Sequence, residues 1–414
     1  MFKSSGNKVI DDFIRHTATV SIKKLIGVLE FVPYEQFKNK VFIAEEDLAY
    51  NFTRSHNYTV VLKKLNNSEN FTSKELNELK VFYQIKKNYN SSYISEYLGI
   101  TQDPSTKDIM IIMPYYNSGD LKHYLSNDFY NTSWNMKLYI LYRIISGLEN
   151  IHKANFIHRD LHSGNIFFNK ESTYIGDLGI SKSAIEATES TENYGIIPYM
   201  APELFKGQKY TKASDIYSFG MIMWEFMTGR SPFWDENHDT ELIIKIYDGL
   251  RPPIVTNAPE GYIELMKKCW HSDPNKRPTT AHVWNRINFM WNNESQNESN
   301  QAPTKIIEST DIGPVTKNNP AAIYMSRPSS HMIQTAMSLR SSRIQSIELD
   351  PFYYYQKTNK VTTDKRKFED DPAEDCNDSK DNDQSNKKRK FLEDSDYFTR
   401  EIELDINFPD KIIA

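Results

Sequence analysis

The 414 residues are 39% apolar and 25% charged, which suits a globular protein with extensions and excludes a fibrous or wholly disordered chain. The net charge of −5 gives no argument for nucleic-acid binding, and no apolar run reaches the about 20 residues of a membrane helix, so neither partner is expected. The two cysteines, Cys269 and Cys376, exclude a disulfide framework and match no metal-site spacing, which favours a reducing compartment. The first residues lack the apolar core of a signal peptide, so we expect a cytoplasmic protein.

Residues 1–32 are predicted to form an N-terminal extension. Val9, Ile10, Phe13 and Ile14 recur at helical spacing, and the apolar residues of segment 22–29 continue in phase. The pattern predicts one or more helices that dock on the main domain, and a helix that binds a partner remains an alternative.

Residues 33–290 carry the apolar periodicity of a folded domain, whose first third reads as β-rich. "YTVVLKKL" (58–65) and "IMIIMPYY" (109–116) are predicted strands, the second largely buried. Between them, "TSKELNELKVFYQIKK" (72–87) predicts a helix with a capping box of Thr72 and Glu75. After residue 118 the pattern turns helical, with "NMKLYILYRIISGLENIH" (135–152) and "IYSFGMIMWEFM" (216–227). The latter is apolar nearly all round, which predicts a helix buried on every side.

From residue 291 onward Asn, Ser, Asp, Lys and Glu dominate, and we expect a disordered low-complexity tail because so polar a segment buries too little surface to offset chain entropy. The tail holds a weak repeat, "KRKFED" (365–370) and "KRKFLED" (388–394). Such tracts are usually solvated charge runs. The sharper interpretation is a nuclear import signal, with "NKKRK" (386–390) the better candidate.

Three motifs carry the chemistry. "FIHRDLHSGNIFFN" (156–169) fits the pattern H-R-D-x-x-x-x-N, and it is followed by "IGDLGIS" (175–181) and by "YMAPE", which ends at Glu203. In this order the chain resembles the protein kinase superfamily over residues 33–290. "DIYSFGMIMWEFMTGRSPF" (215–233) and "CWHSDPNKRPT" (269–279) look most like the tyrosine-kinase-like branch of serine/threonine kinases, and the wording "HRDLHSGN" is similar to certain expanded fungal families. The resemblance implies an α+β, bilobal kinase fold with a small β-rich lobe and a larger, mainly helical lobe.

The resemblance also implies ATP and Mg²⁺ as cofactors and assigns catalytic roles. Asp160 would orient the substrate hydroxyl and take its proton, and Asn165 and Asp177 would supply metal oxygens. Lys63 in "VVLK" would hold the α- and β-phosphates, with Glu78 of the following helix as its partner. An exposed ion pair is the ordinary interpretation of such a Lys and Glu, and the downstream motifs favour the functional one.

For the nucleotide itself, the resemblance places Met113 at the border of the adenine pocket, Pro114 to Tyr116 in the hinge and Asp120 at the ribose hydroxyls. The implied nucleotide-binding set is Ile43, Val61, Lys63, Met113, Tyr115, Asp120 and Phe167.

The resemblance also implies two structural roles. Glu203 should pair with Arg277, and Asp215 should bind the backbone of the catalytic loop. Arg159, beside Asp160, is placed to capture a phosphate on segment 180–197, in which no single hydroxyl stands out.

The segment "VFIAEEDLAYNFTR" (41–54) departs from the family pattern. Ile43 fits the position before the glycine-rich loop, but Ala44, Glu46 and Ala49 stand at its glycine positions and Asn51 at the valine that covers adenine. The acidic residues of this loop would repel a triphosphate and weaken ATP affinity about ten- to several-hundred-fold.

Smaller departures are Val61 for an alanine against adenine, His162 for a lysine and Ile196 for a threonine. The last two leave serine/threonine specificity less secure, whereas "IPYMAPE" (197–203) favours it.

These observations leave alternatives open. The first is a protein kinase that phosphorylates serine or threonine in intracellular signalling, made slow by its loop. The second is a pseudokinase, with weak or absent ATP binding, that acts as a scaffold; a damaged reading frame near residues 45–55 belongs with it. Small-molecule phosphotransfer on the same fold is a third. The partners expected are a protein substrate and regulatory proteins that bind the tail.

Overall fold

The protein is described by a computed structural model that covers residues 4–24, 29–43, 58–65, 68, 76–89, 92–170, 172–183, 193–344 and 401–406. The helices in these ranges are α1 (Lys8–Lys24), α2 (Asn77–Asn88), α3 (Leu121–Asp128), α4 (Trp134–Lys153), α5 (Pro202–Phe205), α6 (Lys212–Thr228), α7 (Thr240–Tyr247), α8 (Tyr262–Cys269), α9 (Thr280–Ser299) and α10 (Ser330–Ile344). The strands are β1 (Glu30–Phe31), β2 (Phe37–Ile43), β3 (Tyr58–Leu65), β4 (Gly99–Gln102), β5 (Ile109–Pro114), β6 (Phe156–Ile157), β7 (Ile166–Asn169), β8 (Ser172–Ile175), β9 (Lys182–Ser183), β10 (Tyr194–Gly195), β11 (Arg327–Pro328) and β12 (Glu401–Ile406).

The small lobe is built on a six-stranded sheet with the order β1-β4-β5-β3-β12-β2. The strand β12, from the far end of the chain, lies between β2 and β3 and is antiparallel to both, with Leu404 opposite Val60. The sheet of the small lobe therefore includes a strand from the C-terminal part of the chain. This pairing has no counterpart in the sequence predictions.

Helix α2 packs against this sheet, and α1 packs against α2. Ile10 and Ile14 of α1 are buried in the same apolar cluster as Leu79 and Phe82. The prediction of a docking helix in the N-terminal extension is confirmed, although residues 25–28 lie outside the described residues. Helix α2 begins at Asn77, later than predicted, and the proposed capping box of Thr72 and Glu75 also lies outside them.

The large lobe is helical, as expected. Ser133 caps the start of α4 by accepting a hydrogen bond from the backbone N–H of Met136. Helix α6 has buried residues all along its length, which confirms the prediction of a helix enclosed on every side. It ends at Gly229, whose φ of 72° is a left-handed conformation that glycine adopts without strain. The bilobal α+β architecture is thus the one predicted.

The predicted tail boundary at residue 291 is corrected by the structure. Helix α9 continues to Ser299, and residues 300–344, which we call the C-terminal strap, lie on the large lobe. Ile312, Ile333 and Ala336 of the strap are buried in the main core. A segment that docks on an existing core needs few apolar residues, so its polar composition was misleading. The basic tracts of residues 365–394 lie outside the described residues.

Within the described residues, no helix combines the length with the apolar character that crossing a bilayer requires.

Candidate active site

A buried ion pair lies at the base of the small lobe. Lys63 of β3 donates hydrogen bonds from Nζ to both carboxylate oxygens of Glu78 on α2, each at 3.1 Å. Lys63 is 7% exposed and Glu78 is 3% exposed. Burial raises the pKa of Glu78 and the charge of Lys63 opposes that rise. The exposed pair that would be the ordinary interpretation is therefore not what the structure contains.

Tyr97 is a member of this site that sequence reasoning missed. Its hydroxyl donates to Oε1 of Glu78 at 2.6 Å, and its ring packs edge-on against Phe82 of the same helix. The tyrosine and the lysine therefore both hold the carboxylate of Glu78. It precedes β4 in a segment without a motif, so only its place in the fold identifies it.

Asp177 joins the same lysine from the large lobe. Its Oδ1 accepts a hydrogen bond from Lys63 Nζ at 2.7 Å and one from the backbone N–H of Gly179 at 3.1 Å. Burial alone would raise the pKa of Asp177, but the nearby ammonium and the hydrogen bonds outweigh it and lower that pKa. Asp177 has a φ of 50°, an uncommon conformation for a non-glycine residue that is typical of functional turns. The ammonium group of Lys63 thus contacts one carboxylate from each lobe.

The catalytic loop presents Asp160 and Asn165 together. The side-chain amide of Asn165 donates to the backbone oxygen of Asp160 at 2.9 Å, so the amide nitrogen is used for positioning. Its Oδ1 is buried and accepts no hydrogen bond within the described structure. An orphaned buried oxygen is costly unless a ligand or metal satisfies it.

The loop is held from below by Asp215 of α6. Its two carboxylate oxygens accept the backbone N–H groups of His158 at 2.8 Å and Arg159 at 2.9 Å. Arg159 has a φ of 75°, and the paired acceptance holds this strained turn in place. The predicted role of Asp215 is confirmed. The phosphate-capture hypothesis for Arg159 remains a prediction, since residues 184–192 lie outside the described ranges.

These oxygens fit Mg²⁺ by their chemistry. Magnesium is bound in proteins by one or two carboxylates together with substrate phosphates, and Asp177 supplies a carboxylate of lowered pKa. The buried Oδ1 of Asn165, which accepts no hydrogen bond in the described structure, would be a second hard oxygen ligand. The ammonium group of Lys63 lies beside them, 2.7 Å from Asp177 Oδ1.

The predicted adenine-side residues fall on the inner strands of the sheet. Val61 lies directly opposite Met113 in the pairing of β3 with β5, and both are buried. Phe167 of β7 is buried beneath the hinge, with its ring stacked on Tyr116. Tyr115 of the hinge donates its backbone N–H to Thr59 at 3.2 Å.

Two nucleotide-side predictions have a different outcome. Asp120 caps α3 by accepting the backbone N–H of His123 at 2.6 Å, and burial raises the pKa of Asp120. Its carboxylate therefore already has a structural role beside the proposed ribose contact. Ile43 ends β2, and its side chain lies outside the described structure, as do residues 44–57, where the glycine-rich loop is expected.

The buried pair predicted from the resemblance is present. Arg277 donates to both oxygens of Glu203, at 2.7 and 2.6 Å, in a bidentate arrangement. The arginine also donates to the backbone oxygens of Ala213 and His271. The side-chain groups of this pair are almost fully enclosed, so either one alone would be an uncompensated charge.

The catalytic loop has one more neighbour that the sequence did not indicate. Ser326 of the C-terminal strap donates its hydroxyl to Oδ2 of Asp160 at 2.5 Å. His162 lies next to this contact, with Nε2 3.4 Å from the serine oxygen and 3.8 Å from the same carboxylate oxygen. A serine hydroxyl thus lies at the residue predicted to accept a proton from a substrate hydroxyl.

Comparison with known proteins agrees with this geometry. The family model described as "Protein tyrosine and serine/threonine kinase" matches residues 40–287, which is more than half of the chain. The match spans both lobes and every residue of the site described above except Ser326.

Individual relatives are similar over shorter stretches. A protein of Acanthamoeba polyphaga mimivirus, whose name includes "serine/threonine-protein kinase/receptor", is 34% identical over 179 residues, which cover 42% of this chain and 11% of that protein. A Dictyostelium discoideum protein named a probable serine/threonine-protein kinase is 36% identical over 157 residues, 37% of this chain and 17% of its own length. The Arabidopsis thaliana serine/threonine/tyrosine-protein kinase HT1 is 33% identical over 175 residues, 42% of this chain and 45% of its own. The chain therefore spans less than half the length of each of these relatives, and the likeness to fungal families remains a prediction.

Proposed function

We propose that this chain, which belongs to the protein tyrosine and serine/threonine kinase family, transfers the γ-phosphoryl group of ATP to serine or threonine hydroxyls of proteins. One observation carries the proposal: Lys63 Nζ joins Glu78 and Asp177 within 3.1 Å, beside a catalytic loop whose Asn165 has an unpaired oxygen. Retention of all these ionic groups in one cleft is expected of an enzyme. A scaffold that had lost nucleotide binding would have no need of them.

Each residue has a distinct task in the proposed reaction. Lys63, oriented by Glu78 and Tyr97, contacts the phosphate oxygens and stabilises their charge. Asp160 accepts the proton of the attacking hydroxyl and aligns its oxygen with the phosphorus atom. Asn165 and Asp177 would hold Mg²⁺, which neutralises negative charge on the phosphates when it is bound.

The cofactors, partners and location complete the proposal. ATP and Mg²⁺ are the cofactors, and the acceptor is a protein. Regulatory proteins bind the C-terminal tail. The protein works in the cytoplasm. The tract at residues 386–390 is a nuclear import signal that would also give it access to the nucleus.

The test is phosphate transfer from Mg-ATP to dephosphorylated casein by the full chain and by Asp160→Asn. We expect wild-type transfer, and a loss of about 10²–10⁴-fold in the variant because the proton acceptor is gone. Asp128→Asn, at an exposed position at the end of α3, is the matched control and should keep full activity. A folded wild-type protein that shows neither transfer nor a rise in melting temperature with Mg-ATP would contradict the proposal and favour the pseudokinase.

A further inference from the structure

The C-terminal strap is fixed to the large lobe before it reaches the cleft. The hydroxyl of Tyr130 donates to the backbone oxygen of Ile312 at 3.0 Å, and Arg230 Nε donates to that of Gly313 at 3.0 Å. Ile312 itself is 4% exposed. The path of the strap is therefore set by specific contacts along the large lobe.

At the cleft, the strap pairs with strand β10, which follows the turn of Asp177 in the chain. Strand β11 is antiparallel to β10, with Arg327 opposite Gly195 and Pro328 opposite Tyr194. The backbone N–H of Ser329 extends the pairing by donating to Asn193 at 2.8 Å. Added strands of this kind are a general mode of peptide recognition, in which backbone hydrogen bonds set the register.

The register places Ser326 at the catalytic loop. Its hydroxyl is the donor to Asp160 Oδ2 at 2.5 Å, which is the contact that the acceptor hydroxyl of a protein substrate needs for proton transfer. No other part of the strap has this relation to the loop within the described contacts.

Side chains on both sides of Ser326 occupy subsites of their own. Tyr324 donates its hydroxyl to the backbone oxygen of Pro232 at 2.8 Å, and its ring packs edge-on against His238. The ammonium of Lys122 lies 5.0 Å from the centre of the same ring. Arg327 donates to the backbone oxygen of His238 at 2.8 Å. The strap is thus held by side chains two residues before and one residue after the serine.

Helix α10 anchors the far end of the strap. Arg340 pairs with Asp248 at 2.6 Å and Arg343 pairs with Glu241 at 2.8 Å, both on or next to α7. Ile333 and Ala336 of the same helix are buried. With anchors on both sides, Ser326 has a high effective concentration at Asp160.

We propose that Ser326 is a phosphorylation site that the chain modifies in cis, and that the strap around it occupies the protein-substrate site until then. The proposal rests on the kinase function proposed above. The oxygen of Ser326 attacks the γ-phosphorus of ATP, the bond from that phosphorus to the β–γ bridging oxygen breaks, and ADP leaves. The hydroxyl proton passes to Asp160, so the products are phosphoserine, ADP and a proton.

The modification changes the charge at the contact. Phosphoserine carries about −1.5 to −2 charges and would lie against the carboxylate of Asp160 in a buried site. Two anions in such a position repel, so the strap leaves the cleft and opens it to other protein substrates. The docked strap is therefore the first substrate of the kinase, and until it is phosphorylated it also blocks other protein substrates.

The experiment incubates the full chain with Mg²⁺ and radiolabelled ATP and maps the labelled residue by mass spectrometry. We expect label on Ser326, with a first-order rate constant that stays the same on about hundredfold dilution of the protein. Ser326→Ala should remove this label. Ser341→Ala, at an exposed serine of α10 in the same strap, should keep it. Label only on other residues, or a rate constant that falls with dilution, would overturn the proposal.

Casein in a parallel reaction separates this proposal from the kinase function. Label on casein that depends on Asp160, without label on Ser326, overturns the inference alone. Absence of both overturns the kinase function and, with it, the modification of Ser326.

A second measurement tests the docked strap without any activity. Hydrogen exchange at the amides of residues 193–195, Arg327 and Ser329 is compared between Ser326→Glu and its neutral isostere Ser326→Gln. We expect at least about tenfold faster exchange in the glutamate variant because its carboxylate faces that of Asp160. Equal protection in the two variants would show that charge at this position does not release the strap.

Discussion

In the large lobe Asp160 and Asn165 lie in one loop, whereas in the small lobe the buried ion pair and its tyrosine come from three separate elements. Residues 158–165 form one loop whose backbone is held by the single carboxylate of Asp215. The small lobe instead joins Lys63, Glu78 and Tyr97 from three elements, on a sheet that contains β12 from residues 401–406. The loop predicted to transfer phosphate is thus one short segment, whereas the sheet that carries Lys63 includes a strand from the far end of the chain.

This comparison bears on the missing glycines. Residues 44–57, which connect β2 and β3, include no glycine, and the strand of residues 401–406 lies between these two strands in the sheet. The small lobe therefore combines a glycine-free segment between two strands with a sheet that contains a strand from the far end of the chain. The four stability and activity predictions that follow test whether the lobes depend on local and distant contacts in the way described.

The largest effect is expected from the buried pair of the large lobe. Glu203→Gln leaves the guanidinium of Arg277 buried with one neutral partner, and we expect a loss of about 3–5 kcal/mol in the free energy of unfolding. Chemical denaturation measures it. Glu241→Gln breaks the exposed pair with Arg343 and should cost less than about 1 kcal/mol. If the two variants lost similar amounts of unfolding free energy, the buried Glu203–Arg277 pair would contribute no more to stability than the exposed pair.

The small lobe should be sensitive to a change near the end of the chain. Leu404→Pro removes a backbone donor from β12, which pairs on both sides, and we expect about 2–3 kcal/mol less stability in the small lobe. Leu404→Ala is the matched control because it keeps the backbone N–H. Hydrogen exchange at the amides of Val60 to Leu62 reports the difference. Equal exchange in the two variants would mean that β12 does not complete the sheet.

Tyr97→Phe removes one hydroxyl and keeps the ring that packs on Phe82. Glu78 then loses a hydrogen bond that fixes it against Lys63, and we expect about a tenfold fall in kcat/KM for phosphate transfer. The melting temperature should change by only a few degrees. Tyr89→Phe, at an exposed position after α2, should change neither quantity. An unchanged kcat/KM for Tyr97→Phe would remove this tyrosine from the site.

The smallest effect concerns pH. Burial raises the pKa of Glu225 on α6 to about 8, although the hydroxyls of Tyr199 and Ser163 donate to its Oε1. A carboxyl whose pKa is raised on folding stabilises the protein below its unfolded value of 4.5, and this contribution is lost as the pH rises through about 8.

Glu225→Gln should therefore reduce the fall in stability between pH 6 and pH 7 by about 1 kcal/mol. Denaturation at the two pH values measures this change. Glu264→Gln, at an exposed position on α8, should follow the wild type. If the unfolding free energy of Glu225→Gln changed between the two pH values as it does in the wild type, the carboxyl of Glu225 would already be ionised in the folded protein.

The sequence predicted most of the large lobe because its signals are contiguous. The loop of Asp160 and Asn165, the turn of Asp177 and the partners of Arg277 and Asp215 all follow from short motifs and their order. The pair of Lys63 and Glu78 followed from a strand and the helix after it. Each of these predictions needed only local periodicity and a motif.

The sequence did not predict contacts made between distant segments. The hydroxyl of Ser326 reaches Asp160 across 166 positions of chain, and β12 pairs with strands at the opposite end of the sequence. The segment around Ser326 lacks apolar periodicity, and although "EIELDI" (401–406) alternates polar and apolar residues, the alternation does not reveal which distant strands it pairs with. Composition therefore placed the tail boundary at residue 291, although the docked strap extends to residue 344.

Calorimetric titration of the folded wild-type chain with Mg-ATP tests the central claim most directly. We predict measurable binding, at least about tenfold weaker binding in Asp177→Asn, which loses a metal ligand and a partner of Lys63, and near wild-type binding in Asp160→Asn, which loses only the proton acceptor. Absence of binding to the wild type, or equal affinity in Asp177→Asn, would contradict the account.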